Sequence, residues 1–110
     1  MEKERRSAPR ARVKLAARWE GAMSRDDATV TDLSRSGCFV LTGGKVEVKE
    51  LVWLEIQFDE GQAVTFWAEV VSEAAEIGFA LRFNSSSPED EATLARFLEG
   101  VFQSQATKKE

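Results

Sequence analysis

The sequence has no histidine and only one cysteine in 110 residues, and these absences exclude several kinds of site. Without histidine there is no zinc cluster of the usual Cys/His type and no Cys–His or Ser–His nucleophile pair. Cys38 cannot form an internal disulfide, and its position in an apolar run predicts a buried small hydrophobe. We therefore expect no catalytic residues, no bound metal and no cofactor.

Other catalytic signatures are missing as well. The segment Thr42-Gly43-Gly44-Lys45 lacks the first glycine of a P-loop and leads into no clear helix. Paired carboxylates such as Asp26-Asp27 and Asp59-Glu60 fall in predicted loops, where solvated turns are common. We expect a binding protein rather than an enzyme.

Long apolar runs are also absent. No run approaches the 18 or so residues that a membrane span needs, and the first residues lack the apolar middle of a signal peptide. The length predicts one domain, and the 43% hydrophobic and 31% charged residues are typical of globular proteins. We expect a cytoplasmic protein that does not insert into membranes.

Charge is distributed unevenly along the chain. Residues 1–25 carry eight Lys or Arg against three Glu, a net charge of +5, whereas residues 26–110 have a net charge of −9. A basic segment on an acidic body favours a specific anionic ligand over a nucleic-acid polymer, which would need a basic face across the domain. The alternative is a solvated, mobile terminus without a ligand.

Alternation of apolar and polar residues predicts six short strands with no helix between them, as in an antiparallel barrel or sandwich. The predicted strands begin at Ala11 and span 28–33, 37–41, 52–58, 64–73 and 77–83, while the structure of 46–51 stays open. Ser87 and Pro88 then predict the start of a helix running to about residue 103, with a frayed tail over 104–110. This helix should pack on the outside or on one mouth of the barrel.

Two short stretches combine groups suited to a guanine nucleotide. Arg6 and Arg10 lie four apart beside Arg5, on an arm (residues 1–10) that we expect to be mobile, and guanidinium groups suit phosphates and the O6/N7 edge of guanine. Asp32 could accept hydrogen bonds from guanine N1–H and N2–H2. Ser34 and the backbone near Gly37 could complete a pocket. By itself, the stretch 32–37 could also be only a polar turn whose glycine lets another backbone or a ligand come close.

Two stretches separated by twenty-one residues, Arg6-Ser7-Ala8-Pro9-Arg10 and Asp32-Leu33-Ser34-Arg35-Ser36-Gly37, resemble the two-part PilZ domain signature, RxxxR and [D/N]xSxxG. The resemblance extends over nearly the whole chain. It implies an all-β fold with a C-terminal helix, a six-stranded antiparallel β-barrel formed here by residues 11–103. It also implies binding of bis-(3′-5′)-cyclic dimeric GMP (cyclic di-GMP), a bacterial second messenger.

Carried over position by position, the resemblance implies that Arg6 and Arg10 contact phosphate and guanine and that Asp32 and Ser34 hold a guanine. Gly37 would keep the turn open, and the neighbouring Arg5 would add a contact. The expected function is that of a cyclic di-GMP receptor or adaptor that relays binding to an unidentified protein partner, as a monomer or weak homodimer. The alternative is a PilZ-like interaction module that binds no nucleotide.

Trp53 and Trp67 form the candidate partner surface. Both fall on the outward face of their predicted strands, opposite the apolar positions. We expect the terminal helix to cover them. If it does not, they would form an exposed aromatic patch suited to a protein partner.

Overall fold

The chain forms a closed antiparallel β-barrel followed by one helix. The computed structural model describes residues 9–58 and 61–108, and within these ranges the elements are as follows. The strands are β1 (Ala11–Glu20), β2 (Arg25–Leu33), β3 (Gly37–Leu41), β4 (Leu51–Gln57), β5 (Ala63–Ala74) and β6 (Gly78–Ser85), and the helix is α1 (Pro88–Lys108). The order around the barrel is β1-β2-β3-β6-β5-β4, and β4 pairs with β1 to close it. The predicted fold class is confirmed.

The inside of the barrel is filled by the apolar residues of each alternating strand. In β1, Leu15, Ala17 and Trp19 are buried while the residues between them are exposed. The indole of Trp19 meets the ring of Phe79 edge to face, with centroids 5.1 Å apart. Such a pair contributes about 0.5–1.5 kcal/mol beyond the area it buries, so these two rings anchor one half of the core.

The irregular segment 42–50 closes the barrel end where β1 finishes. Trp19 Nε1–H donates to Thr42 Oγ1 over 3.0 Å, and Gly44 packs so closely on the indole that a β-carbon there would collide with it. Val46 adds a buried side chain to the core. Of the stretch 46–51, whose structure the sequence left open, residues 46–50 therefore belong to this irregular segment and Leu51 begins β4.

Helix α1 closes the opposite mouth. It starts as predicted, with Asp90 N–H donating to the Ser87 hydroxyl over 3.0 Å. The Asp90 carboxylate accepts from both the backbone N–H and the hydroxyl of Thr65 on β5, which ties the first turn to the barrel. Leu94 and Leu98 join the core, each worth about 1.5–3 kcal/mol by burial. The helix continues to Lys108, beyond the predicted end at 103.

Two local details differ from the predicted strands. Strand β2 begins at Arg25, three residues before the predicted start at 28, because Arg25, Asp26 and Asp27 pair with the end of β1. These three residues are all polar, so alternation of apolar and polar residues does not reveal this part of the strand. Ile77, predicted to face the core, lies in the turn before β6 and is exposed. No helix within the described residues is long and apolar enough to cross a membrane.

Candidate ligand-binding site

A cavity of about 220 Å³ lies where β2 ends and β3 begins, and it brings together four of the predicted site residues. Arg10, Asp32, Ser34 and Gly37 all line it. The remaining lining residues are Leu33, Ser36, Cys38, Phe39, Val71, Ala80 and Leu81. Arg5 and Arg6 lie outside the described residues. The turn and the last arginine of the RxxxR half-motif therefore share one cavity.

A bulge in β2 turns Asp32 towards this cavity. Val30 and Leu33 are both buried although they are three residues apart, and the β2–β3 register shifts between Val30 and Asp32. The extra residue, Thr31, leaves both itself and Asp32 on the outer side of the barrel. Within the part of the chain that the structure describes, the Asp32 carboxylate has no hydrogen bond and no ion pair. No described residue therefore occupies its acceptor oxygens.

Ser34 has a different role from that of a free ligand contact. Its side chain is buried, with 5% exposed, and its hydroxyl oxygen accepts from the backbone N–H groups of Ser36 and Gly37 at 3.1 and 3.2 Å. The Ser34 N–H donates to the Gly37 carbonyl over 2.9 Å. The hydroxyl proton has Gly37 O or Ser36 Oγ within reach. Ser34 therefore holds the shape of the turn that presents Asp32.

Gly37 allows the turn to lie directly against β6. A β-carbon at this position would collide with the carbonyl oxygen of Leu81, whose neighbour Arg82 is the register partner of Gly37. The Phe83 N–H also donates to the Ser36 carbonyl over 2.8 Å. The sequence left open whether Gly37 allows a backbone or a ligand to come close. In the structure, the β6 backbone comes close to it.

Cys38 forms part of the wall behind the turn. It is buried, and the loss of solvent raises the pKa of its thiol well above the ordinary value, so the thiol stays protonated. This matches the predicted small hydrophobe. Among the described residues, no group of three or more His, Cys, Asp and Glu side chains could hold a metal ion.

Val71 is a cavity residue that sequence reasoning missed. The β5–β6 register shifts between Val70 and Ser72, so Val70 points into the core and Val71 remains exposed beside the cavity. Two consecutive valines in one strand cannot both face the core of a regular strand, and this was the available signal. The second bulge gives the cavity an apolar wall.

Trp53 and Trp67 lie on the outer wall of the barrel and are not covered by the helix. They are register partners, their ring centroids are 5.2 Å apart, and they are 39% and 46% exposed. The expectation that the helix covers them is wrong, because α1 sits over the mouth and directs Leu94 and Leu98 into the core. The alternative, an exposed aromatic pair, describes the surface.

By its fold, the chain is a small closed β-barrel with a cavity of mixed polar and apolar lining at the turn between β2 and β3. A profile of the PilZ domain family matches residues 4–100, and the chain belongs to this family. The match includes both halves of the signature, and it extends through most of α1. The resemblance noted in the sequence is confirmed.

Solved structures of the same fold agree with this assignment. The PilZ domain of YcgR from Escherichia coli, solved with c-di-GMP, has a TM-score of 0.74 at 17% identity, with 96% of this chain and 97% of that chain covered. YcgR from E. coli in complex with c-di-GMP gives 0.79 at 18%, covering 96% and 49%. The Bacillus subtilis inhibitor of motility MotI/DgrA gives 0.75 at 16%, covering 94% and 53%.

The chain spans about half the length of MotI and of that YcgR chain. At these identities the likeness establishes the fold. No curated protein sequence was found to match the chain.

Proposed function

We propose that this chain is a cytoplasmic cyclic di-GMP receptor that acts as an adaptor. The observation that carries the proposal is the shared cavity, in which Arg10 and the unpaired Asp32 face the same space beside the turn. Two E. coli YcgR structures of the same fold contain c-di-GMP, which supports the choice of ligand. The family match adds support, because it spans both half-motifs.

In this proposal Asp32 recognises guanine. Its carboxylate can accept from N1–H and N2–H2 together, a pair of donors that adenine does not offer. A carboxylate held half-buried in a cavity wall loses little entropy when it makes these bonds. Val71 and Ala80 supply an apolar surface for the base.

Arg10 supplies the positive charge. It is exposed, it lines the cavity, and it has no ion pair within residues 9–58 and 61–108, so its guanidinium is available for a phosphate. Arg6, and Arg5 beside it, would add contacts from the preceding arm. Forked guanidinium–phosphate contacts are among the stronger hydrogen bonds in proteins.

Ser34 and Gly37 act indirectly in this mechanism. Ser34 satisfies two N–H groups of the turn, and Gly37 lets the turn rest on β6. The ligand therefore meets a turn that is already formed, which lowers the entropy cost of binding. Only the arm would have to close.

Calorimetric titration with cyclic di-GMP tests the proposal. We expect saturable binding and a rise in unfolding temperature, since a ligand at one hundred times its Kd stabilises the folded state by about 2.7 kcal/mol. Absence of heat and of thermal protection at high micromolar ligand would reject the receptor function. Competition by duplex DNA with a steep salt dependence would instead indicate non-specific nucleic-acid binding.

The relay to a partner protein is proposed for the wall that carries Trp53 and Trp67. A cavity of about 470 Å³ adjoins Trp53 and includes Glu20 and Glu55 in its lining. Neither carboxylate makes an ion pair with any other described residue. The same cavity is also lined by Asp26, Asp27, Arg18 and Arg25, so its four carboxylates outnumber its two arginines. An aromatic wall beside this excess of negative charge complements a basic segment that also carries apolar side chains, through cation–π contact and charge.

A link to the ligand site runs along β5. Val71 lines the ligand cavity, and Trp67 lies four residues earlier on the same strand. Tryptophan emission of the exposed pair should therefore change when the ligand binds. The variant Trp67→Phe should keep ligand binding and lose most of that change; an unaltered response would count against the relay.

A synthetic peptide that alternates Arg and Leu can probe the partner chemistry. This peptide should bind the parent chain. The double variant Glu20→Gln/Glu55→Gln should bind the peptide several-fold more weakly. A control peptide in which every Arg is replaced by Glu should not bind the parent. Equal binding of the Arg–Leu peptide to parent and variant would reject this surface. If the peptide binds and the nucleotide does not bind at all, the interaction module without nucleotide becomes the better assignment.

A further inference from the structure

We propose that Arg12, Lys14 and Thr31 form a second anion subsite next to Asp32, and that it takes a phosphodiester of the cyclic dinucleotide. The proposal rests on the receptor function above. It assigns a role to two basic residues that lie outside both half-motifs.

The first argument is the position of Arg12. It is the register partner of Asp32 across β1 and β2, so its side chain and the Asp32 carboxylate leave neighbouring points of the barrel wall. A cavity of about 490 Å³ is lined by Arg12, Val13, Lys14, Thr31 and Asp32. Asp32 thus belongs to this cavity and also to the one that contains Arg10.

The irregular register of the two strands creates this space. Pairing shifts between Arg12 and Leu15 on β1, opposite the bulge at Thr31 on β2. A bulge raises the local twist and re-aims side chains, and here it leaves Thr31 and Asp32 both outside the core. The same irregularity that frees Asp32 therefore opens a basic cavity on its other side.

The second argument is size. The cavity with Arg10 measures about 220 Å³, whereas pockets for drug-sized ligands usually span about 300–1,000 Å³. A cyclic dinucleotide carries two guanines and two phosphodiesters, so the first cavity can hold only part of it. The adjoining cavity of about 490 Å³, which shares Asp32, offers further room on the other side of that carboxylate.

The third argument is charge. Arg12 and Lys14 are both exposed, and neither forms an ion pair with another described residue. Arg18, farther along the same face of β1, instead lies 4.0 Å from the Asp27 carboxylate. Two unpaired cations beside the proposed guanine carboxylate, in a chain with net charge −4, form a local attraction for phosphate.

The phosphodiester can come from two sources. It can be the second phosphate of the molecule whose guanine meets Asp32, or a phosphate of a second dinucleotide bound beside the first. Calorimetry separates them, because only the second source changes the number of ligands bound per chain.

The test compares the parent with Arg12→Gln, Lys14→Gln and the double variant. Arg18→Gln is the control for the loss of one positive charge, and Arg18→Gln combined with Arg25→Gln, which should bind like it, is the control for the loss of two. All are exposed positions, and urea unfolding checks that stability is kept. We expect the double variant to bind cyclic di-GMP about tenfold or more weakly, the scale of one charge-assisted contact, and Arg18→Gln to remain within about twofold of the parent. Higher salt should reduce parent binding more than that of the double variant.

A fall from two ligands to one in the double variant supports the second source, and weaker binding at unchanged stoichiometry supports the first. A double variant that binds like Arg18→Gln, beside a parent that binds well, overturns the subsite and leaves the receptor function intact. A parent that does not bind overturns both.

Discussion

The two sides of the candidate site differ in how much of their chemistry the fold already uses. Ser34 and Gly37 are committed to internal contacts, since the serine oxygen accepts two backbone N–H groups and the glycine lies against the Leu81 carbonyl. Asp32 and Arg10 line the same cavity without an ion pair to any described residue. Ser34 and Gly37 form the structural frame of the site, and in the proposed function Asp32 and Arg10 face the ligand.

This difference separates effects on stability from effects on ligand binding, which a list of motif residues does not distinguish. Changes to the frame should lower the free energy of unfolding and weaken binding as a consequence. Changes on the ligand side should weaken binding and leave unfolding nearly unchanged. Measuring both quantities for each variant is therefore more informative than measuring binding alone.

The largest effect is expected for Gly37→Ala. The new β-carbon would collide with the Leu81 carbonyl oxygen, a backbone atom that cannot move without shifting β6. We expect a loss of about 3 kcal/mol in the free energy of unfolding by urea denaturation, at the upper end of the usual cost of overpacking. Gly43→Ala is the matched control, because nothing lies within 4 Å of a β-carbon there. Equal stability of the two variants would contradict the frame role.

Arg10→Ala tests the ligand side. It should weaken cyclic di-GMP binding by about 1.5–3 kcal/mol, the scale of a charge-assisted hydrogen bond, and leave urea unfolding unchanged because the side chain is exposed. Arg6→Ala carries the same expectation. A variant that binds as tightly as the parent would remove that arginine from the site, and Arg25→Ala serves as the charge control.

Ser34→Ala should lower the free energy of unfolding as a frame change does, but by less than Gly37→Ala. Removing the hydroxyl leaves the Ser36 and Gly37 N–H groups without their acceptor, and we expect a loss of about 1.5 kcal/mol in unfolding free energy. Ser36→Ala is the control within the same turn, since it leaves both N–H groups paired and should cost under about 0.5 kcal/mol. If Ser34→Ala reduced binding without any loss of stability, Ser34 would be a direct ligand contact instead.

Most of the barrel was predictable because alternation is a local property. The strand residues that face the core, such as Trp19 and Leu54, repeat at every second position and need no tertiary information. The capped start of α1 at Ser87 was equally local. The bulges at Thr31 and Val71 were not predictable in this way, because they depend on the pairing with neighbouring strands.

The candidate site was also predictable in part, where local sequence motifs identify its residues. The motifs identify Asp32, Ser34 and Gly37, and the structure gathers them with Arg10. The internal use of Ser34 and Gly37 depends on how the turn folds onto β6, which spacing does not encode. The expectation that the helix covers Trp53 and Trp67 was wrong because alternation predicts which side a residue faces and not what covers that side.

The smallest change in affinity, with the sharpest change in selectivity, is expected for Asp32→Asn. The amide keeps one oxygen to accept a guanine N–H, but its NH2 group opposes the second donor. Removing a negative charge beside a ligand with two phosphates offsets part of that loss, so we expect a net change of only about 1 kcal/mol in the binding free energy.

The amide suits the adenine edge, which combines a donor and an acceptor, better than the carboxylate does. The preference for cyclic di-GMP over cyclic di-AMP should therefore narrow, as measured by the ratio of Kd values, while Asp27→Asn keeps the parent ratio. A preserved ratio in Asp32→Asn would mean that Asp32 does not read the base, and that the ligand-facing side recognises only phosphate.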